Sequence, residues 1–310
     1  MCPLCASDRR SQILSLKSED IVAANWSYRP DKLPLMALNV PSSFEIVRCN
    51  DCAFVYAACL PPEEFLSFVY DELIDLSAAR RESYCPRNLA NRMEYLSILL
   101  RMIDKGGKIL DYGCGFGSTL GLLRNIHGIE AVGFDTSSAR VNDANGDYLY
   151  ITSSVSDLRD RGPFDAVILD NVLEHVPEPR ETMEMVGDLC AEGAILYISV
   201  PDASEQFLDV QIALNRQSKL LAMDVNPWEH LNYFDLSHLD SLMKGAGFVA
   251  LKQADLASEI RIGLRPERQS IPRIKNTFAS LIRALRYAVG GDTTPTVNRR
   301  YYRFKADAAD

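Results

Sequence analysis

No run of about 18 apolar residues occurs in the 310-residue chain, so no membrane-spanning helix is expected. The first dozen residues, MCPLCASDRRSQ, hold no apolar stretch of signal-peptide type, and the expected location is cytoplasmic. Internal repeats, low-complexity tracts and collagen-like or heptad composition are absent, which removes fibrous and solenoid architectures. The first 80 residues lack a basic cluster interleaved with aromatics, and the chain carries a net charge of −9. Nucleic acid is therefore not an expected partner. Histidines number only four, at 127, 175, 230 and 238, so the choice of a neutral-pH base is short.

What is present suits a folded protein. Apolar residues make up 47% and charged residues 24%, enough apolar surface to exclude disorder over the whole length. The charge is uneven: residues 261–305 hold 11 Lys/Arg against 2 Asp/Glu. Pro61-Pro62 followed by Glu63 and Glu64 opens a helix, and a second helix is expected over 88–103 with Leu89, Met93, Leu96, Leu100 and Ile103 on one stripe. From residue 108 short apolar strands alternate with helices. Strands are expected at 108–112, 130–135, 148–152, 164–170 and 193–201, with helices over 118–125, 137–145 and 179–190. That alternation predicts an α/β, doubly wound, mostly parallel sheet with both faces covered. A helix near 236–245 and a strand from Phe248 continue it, and RRYYRFKA (299–306) reads as a final edge strand. Stretches 202–235 and 256–298 read as insertions, the first being too long for a plain connection. Within the second, 270–289 forms an amphipathic basic helix that packs on the sheet or touches an anionic membrane surface.

The most informative segment is Asp111-Tyr112-Gly113-Cys114-Gly115-Phe116-Gly117, which joins a strand to a helix. Alternating glycines let a backbone approach a ligand where a Cβ would clash. A dinucleotide loop spaces its glycines G-x-G-x-x-G. Here the spacing is G-x-G-x-G with an acid two residues earlier, which suits the cationic end of a ligand. This resembles the cofactor loop of the class I S-adenosylmethionine-dependent methyltransferases, over roughly residues 85–255. The resemblance implies a Rossmann-like fold, with S-adenosyl-L-methionine held by Asp111, Gly113, Cys114, Gly115 and Gly117. Asp135, followed by Thr136, ends the second strand where the family's acid binds the ribose hydroxyls, and it can also cap the next helix. Asp157-Leu158 stands where the family meets the adenine amino group; a solvated loop acid is the alternative. Asn171-Val172-Leu173-Glu174-His175-Val176 is similar to the segment beside the methionine part of the cofactor, with Glu174 and His175 either binding or orienting that loop. Cys114, between two glycines, is expected to present backbone rather than a reactive thiol.

Cysteines number eight, four of them in two C-x-x-C pairs, Cys2/Cys5 and Cys49/Cys52. Four thiolates suit one tetrahedral zinc ion. The 43-residue gap between Cys5 and Cys49 is longer than a ribbon's usual spacing, but loop entropy grows slowly with length. Residues 1–80 are thus expected to form a small zinc-binding module with a linker helix, and 81–310 the larger domain. Cys59, Cys85 and Cys190 read as packing residues.

A zinc module ahead of this domain is similar in layout to the methyltransferases of nucleotide-linked deoxysugars, whose additional C-terminal domain this chain is expected to lack. Cys49-Asn50-Asp51-Cys52-Ala53-Phe54-Val55-Tyr56 resembles their second knuckle, and Tyr70 and Tyr84 stand where they place aromatics between module and core. Pro227-Trp228-Glu229-His230-Leu231-Asn232-Tyr233-Phe234 resembles their E-H-x-x-Y-F phrase. That resemblance implies His230 as general base supported by Glu229, with Tyr233 binding substrate or packing. The expected acceptor is a polar small molecule such as a nucleotide sugar or glycan. The alternatives are a natural-product or quinone-like acceptor, or a zinc-ribbon nucleic-acid binder built on a methyltransferase core.

Overall fold

The computed structural model describes residues 1–18, 28–32, 42–126, 128–145, 149–204, 207, 225–251 and 297–305. Its N-terminal part is an antiparallel sheet of β1 (Arg10–Lys17), β2 (Ser43–Cys49) and β3 (Val55–Ala57). Next come α1 (Glu63–Phe68), running into a π-helical turn at Val69–Leu73, then α2 (Leu76–Ser83) and α3 (Pro86–Leu99). Local chemistry sets their starts. The Asp75 carboxylate caps α2 by accepting from the Ala78 N–H at 3.0 Å, and Pro86 occupies the first turn of α3. The helix expected over 88–103 therefore begins at Pro86 and ends at Leu99, short of Gly106-Gly107.

The larger sheet contains β4 (Lys108–Tyr112), β5 (Glu130–Phe134), β6 (Ile151–Thr152), β7 (Phe164–Asp170), β8 (Cys190–Pro201), β10 (Phe248–Ala250) and β11 (Val297–Phe304). Strand order is β10-β11-β8-β7-β4-β5-β6. Strands β8, β7, β4, β5 and β6 run parallel, while β11 is antiparallel to both of its neighbours. Helices α4 (Ser118–Leu123), α5 (Ser138–Asn145), α6 (Val155–Arg161), α7 (Pro179–Leu189) and α8 (Leu236–Gly245) complete the layers. This is the doubly wound, mostly parallel architecture expected. The chain runs from β4 outward through β5 and β6, then returns to lay β7 on the other side of β4. Such a reversal opens a crevice beyond the C-terminal ends of the two central strands.

Three expectations need correction. The third strand is confined to Ile151–Thr152 rather than 148–152. The last strand is not an edge: β11 is paired on both sides, by β8 and β10. Arg299 on this strand lies 3.6 Å from Glu94 of α3. Both faces of β11 are buried, Tyr302 on one and Tyr301 against Tyr197 on the other. Finally, the segment after β8 is not simply an insertion in the larger domain. Its β9 (Asn232–Tyr233) pairs with β3 and supplies the fourth strand of the N-terminal sheet. Residues 270–289, expected to be helical, lie outside the described residues.

The two sheets share packed material. Trp228 is fully buried, stacked on Tyr28 at 5.7 Å and edge-on to Phe65 at 5.5 Å. On the other side, Phe54 from the N-terminal part packs on Phe234 at 5.0 Å and on the His238 ring at 5.3 Å. No described helix is long and apolar enough to cross a membrane.

Candidate active site

The glycine turn follows β4 at the head of that crevice. Gly113, Gly115 and Gly117 all have positive φ, at 78°, 54° and 72°. A Cβ on Gly113 would meet Val172 at 2.5 Å and one on Gly117 would meet Leu149 at 2.7 Å, so these two serve packing as well as conformation. A Cβ on Gly115 would meet nothing within 4 Å, which leaves an open surface above the loop. Asp135 fixes that loop. One carboxylate oxygen accepts the Gly115 N–H at 2.8 Å, and the other accepts the Ser137 N–H at 2.9 Å ahead of α5. Ligand contact and capping are thus compatible roles for this residue, with Thr136 exposed beside it. Tyr84 donates its hydroxyl to the Phe116 carbonyl at 2.9 Å, tying α2 to the turn. Cys114 turns its buried sulfur toward the core, where a Cβ on Gly133 would meet it at 2.8 Å, and the thiol lies 3.9 Å from the Gly115 carbonyl.

Asp111 is 3% exposed, and its Oδ2 has no hydrogen-bond partner. Burial pushes its carboxyl up to about 7. A buried carboxylate with one oxygen unpartnered beside an open glycine loop fits a ligand with a cationic end, and S-adenosylmethionine has one. Further along, Asp157 lies in the first turn of α6 and accepts from the Thr152 hydroxyl at 2.9 Å. Leu158 is fully buried in the core, and its N–H goes to the Ser154 carbonyl. Asn171, directly after β7, has φ +57°, a left-handed conformation that asparagine tolerates better than most residues.

Across the crevice the structure brings Glu174, His175 and His230 together. One ligating atom from each lies within 4.8 Å of the others. The Glu174 carbonyl accepts the N–H groups of Leu231 at 2.7 Å and Asn232 at 3.1 Å, so the segment after β7 is latched to the segment before β9. His175 faces His230 with ring centroids 4.8 Å apart. Its Nδ1 lies 2.9 Å from the Glu229 carbonyl and 3.0 Å from the Tyr70 hydroxyl. Burial, and then the neighbouring His230, holds its pKa well below the ordinary histidine value. Burial also pushes the Glu174 carboxyl up to about 8.

Glu229 is anchored from a distance. Its Oε1 accepts from the Tyr28 hydroxyl at 2.7 Å and from Asn226 Nδ2 at 3.0 Å. Tyr233 is 1% exposed, lies edge-on to Phe207 at 5.3 Å, and keeps its hydroxyl buried without a partner. Tyr28 and Asn226 carry no local motif, and sequence reasoning did not find them. Tyr70 was marked only by its position between module and core.

The cysteine pairs converge. Cys2 and Cys52 sulfurs are 3.6 Å apart and Cys5 and Cys49 3.5 Å, with all four within 4.8 Å of one another. These separations are far beyond a disulfide bond. They match the roughly 3.8 Å between sulfurs held tetrahedrally at about 2.3 Å from one zinc. The two turns also repeat one backbone pattern. The Ala6 N–H goes to the Cys2 carbonyl and the Ala53 N–H to the Cys49 carbonyl, and both alanines have positive φ. Each first cysteine donates its N–H five residues ahead, Cys2 to Ser7 and Cys49 to Phe54. The donor set fits zinc. His238 was weighed in the sequence only as a base. Its Nε2 instead lies 2.8 Å from the Cys52 carbonyl, bracing the second knuckle against α8.

Comparison with known proteins matches residues 80–253, more than half of the chain, to the methyltransferase-domain family. The chain belongs to that family. Its matched stretch contains the glycine turn, Asp135, Asp157, the Glu174-His175 segment and His230. The ubiquinone biosynthesis O-methyltransferase of Xanthomonas axonopodis pv. citri is 32% identical over 117 residues, covering 35% of this chain and 48% of that protein. Its counterpart in Coxiella burnetii (strain Dugway 5J108-111) is 30% identical over 122 residues, covering 37% and 52%. The chain thus spans about half the length of these curated relatives. Among solved structures, the plantazolicin methyltransferase BamL, in complex with a triazolic desmethylPZN analog and SAH, aligns with a TM-score of 0.55. The alignment covers 77% of this chain and 94% of BamL at 13% identity, which shows a shared methyltransferase fold.

Proposed function

We propose that this protein transfers the methyl group of S-adenosyl-L-methionine to a hydroxyl of a small polar acceptor. The supporting observation is the pairing of the open Gly115 turn and its Asp111 and Asp135 carboxylates with the Glu174–His175–His230 group across one crevice. Asp135 would hold the ribose, while Thr136, Asp157 and the backbone near Leu158 would face the adenine. Gly113, Cys114 and Gly117 would shape the loop, and Asn171 and Asp111 would meet the methionine portion. Methyl transfer from a sulfonium is an in-line displacement, so the protein's work is alignment and removal of the acceptor's proton. Proton removal depends on His230, presented by the turn that Glu229 anchors, with Tyr233 packing beneath it. Cys2, Cys5, Cys49 and Cys52 would hold one structural zinc ion.

Two acceptor classes have specific support. The relatives named for ubiquinone biosynthesis favour a phenolic or quinone-like hydroxyl. The layout of cysteine module, domain and E-H-x-x-Y-F phrase favours a nucleotide-linked sugar. A transfer assay with labelled S-adenosylmethionine over both panels tests the reading, and labelling of neither class would sink it. With an acceptor in hand, His230→Ala should lower kcat by roughly 10²–10⁴ while affinity for S-adenosylhomocysteine stays near wild type. Gly115→Val should do the reverse at the binding step, costing about a hundredfold in S-adenosylhomocysteine affinity, or about 2.7 kcal/mol. Unchanged calorimetry in that variant would remove the loop from the cofactor site.

A further inference from the structure

Glu174 is 2% exposed, and neither of its carboxylate oxygens has a hydrogen-bond partner. A buried carboxylate left this way costs free energy unless something charged or hydrogen-bonding meets it. Nε2 of His175 lies 3.8 Å from Glu174 Oε1. The other nitrogen of that ring lies 2.9 Å from the Glu229 carbonyl, which can only accept, so Nδ1 carries the hydrogen, the Tyr70 hydroxyl oxygen 3.0 Å away accepts a share of it, and Nε2 carries the lone pair. A backbone carbonyl on the far nitrogen is the usual support of a metal-ligating histidine, because it fixes both tautomer and ring orientation. His230 completes the group, its ligating atom within 4.8 Å of the other two.

Both backbone segments are rigidly placed. The Glu174 carbonyl holds two N–H groups of the 231–232 segment. Asn232 Nδ2 donates to the Leu173 carbonyl at 3.2 Å and the Val176 carbonyl at 2.7 Å. The His230 N–H goes to the Asn226 carbonyl at 2.6 Å.

We propose that Glu174, His175 and His230 form a second metal site, distinct from the cysteine site, that binds a divalent transition-metal ion beside the acceptor. Two imidazoles and one carboxylate suit zinc, manganese, iron or cobalt, and three protein ligands leave positions open for an acceptor oxygen. Bonds of about 2.1 Å place ligand atoms roughly 3–3.5 Å apart, so the ion draws the three side chains inward by about an ångström. The ion's chemical role rests on the methyl-transfer reading above; its binding does not. As a Lewis acid the ion makes an acceptor hydroxyl more acidic, so that its proton passes to water and the oxygen is ready to displace the sulfonium methyl. His230 then acts as a ligand rather than as a free base, which specifies how proton removal depends on it.

The test uses the full chain, stripped with a chelator and titrated with Co²⁺ under anaerobic conditions. Cobalt in the cysteine site shows intense thiolate-to-metal charge transfer, whereas cobalt on two histidines and a carboxylate shows only weak ligand-field bands. Wild type should take up about two equivalents, one of each spectral kind. Glu174→Gln and His175→Ala should each lose the weak-band equivalent and keep the thiolate band, which also reports that the module is folded. His230→Gln serves as a third variant if either of these fails to fold. Uptake of a single, thiolate-bound equivalent by wild type would overturn the proposal, as would a second equivalent that survives in the folded variants. Calorimetry of S-adenosylhomocysteine on the same samples separates the two readings. Cofactor binding without a second cobalt defeats the metal site alone, and a second cobalt without cofactor binding defeats the methyl-transfer reading alone.

Discussion

The glycine turn after β4 and the two cysteine knuckles, one before β1 and one between β2 and β3, use the same local device for different ends. In each, residues with positive φ bend the chain so that ligand-facing groups converge. In the turn the residues are glycines, and the backbone itself is presented. In the knuckles they are alanines at 6 and 53, a conformation strained for a residue with a Cβ. The glycine turn is held by the fold itself, its Gly115 N–H donating to Asp135 and its Phe116 carbonyl accepting from Tyr84. The knuckles depend on what their sulfurs bind. One region is thus built on the sheet beneath it, and the other gathers four sulfurs that suit a metal ion.

The sharpest way to break this contrast is at a knuckle. If the four sulfurs hold zinc as proposed, Cys49→Ser should lose the ion and with it most of the order of the sheet β1–β3, because a structural four-thiolate site contributes on the order of 10 kcal/mol. Limited proteolysis should then cut the N-terminal part while the larger sheet keeps its own unfolding transition. A variant as protease-resistant as wild type would mean that packing against Phe234 and His238, not metal, holds the module.

A smaller effect is expected in the preformed region. Burial raises the Asp111 carboxyl to about 7 in the folded protein, against about 3.9 when unfolded. Between those values the folded state binds more protons than the unfolded state, so stability falls as pH rises from about 4 to about 7. The full penalty, up to about 4 kcal/mol, is present above pH 7. Asp111→Asn should therefore stabilise the ligand-free protein at pH 8, with the gain shrinking toward pH 5, while weakening S-adenosylhomocysteine binding. Urea unfolding at the two pH values reads this directly. A gain independent of pH would show that burial does not raise the Asp111 carboxyl in the folded protein.

The smallest change sharpens the link between the regions. Tyr28→Phe removes the 2.7 Å hydrogen bond to Glu229 and the 2.7 Å bond that the same hydroxyl accepts from Asn226, and leaves Asn226 Nδ2 donating to Glu229. A loss of about 1–2 kcal/mol is expected, with kcat reduced and S-adenosylhomocysteine affinity unchanged. Equal loss of cofactor affinity would show that the 226–233 turn supports both halves of the crevice.

The sequence by itself determined the elements whose causes are local. Asp111 and the three glycines specify a strand-to-helix turn through short-range sterics. The alternation of apolar strands with helices specifies a parallel layered sheet, because each strand must be covered on both faces. Two C-x-x-C pairs specify two knuckles. Tertiary structure decided what depends on distant partners. Asn232-Tyr233 joins the N-terminal sheet because the 226–231 turn is held at its base by the Glu174 carbonyl, and two residues are too few to signal a strand. Glu229 is expected from the sequence to support its neighbour His230; what the sequence does not show is that its Oε1 is also held by Tyr28, about 200 positions earlier in the chain. The same folding sets His175 edge-on to His230 and leaves the Glu174 carboxylate orphaned beside them. Spacing along the chain cannot encode that arrangement, because it arises from the ends of β7 and the segment before β9 being closed onto each other by backbone hydrogen bonds.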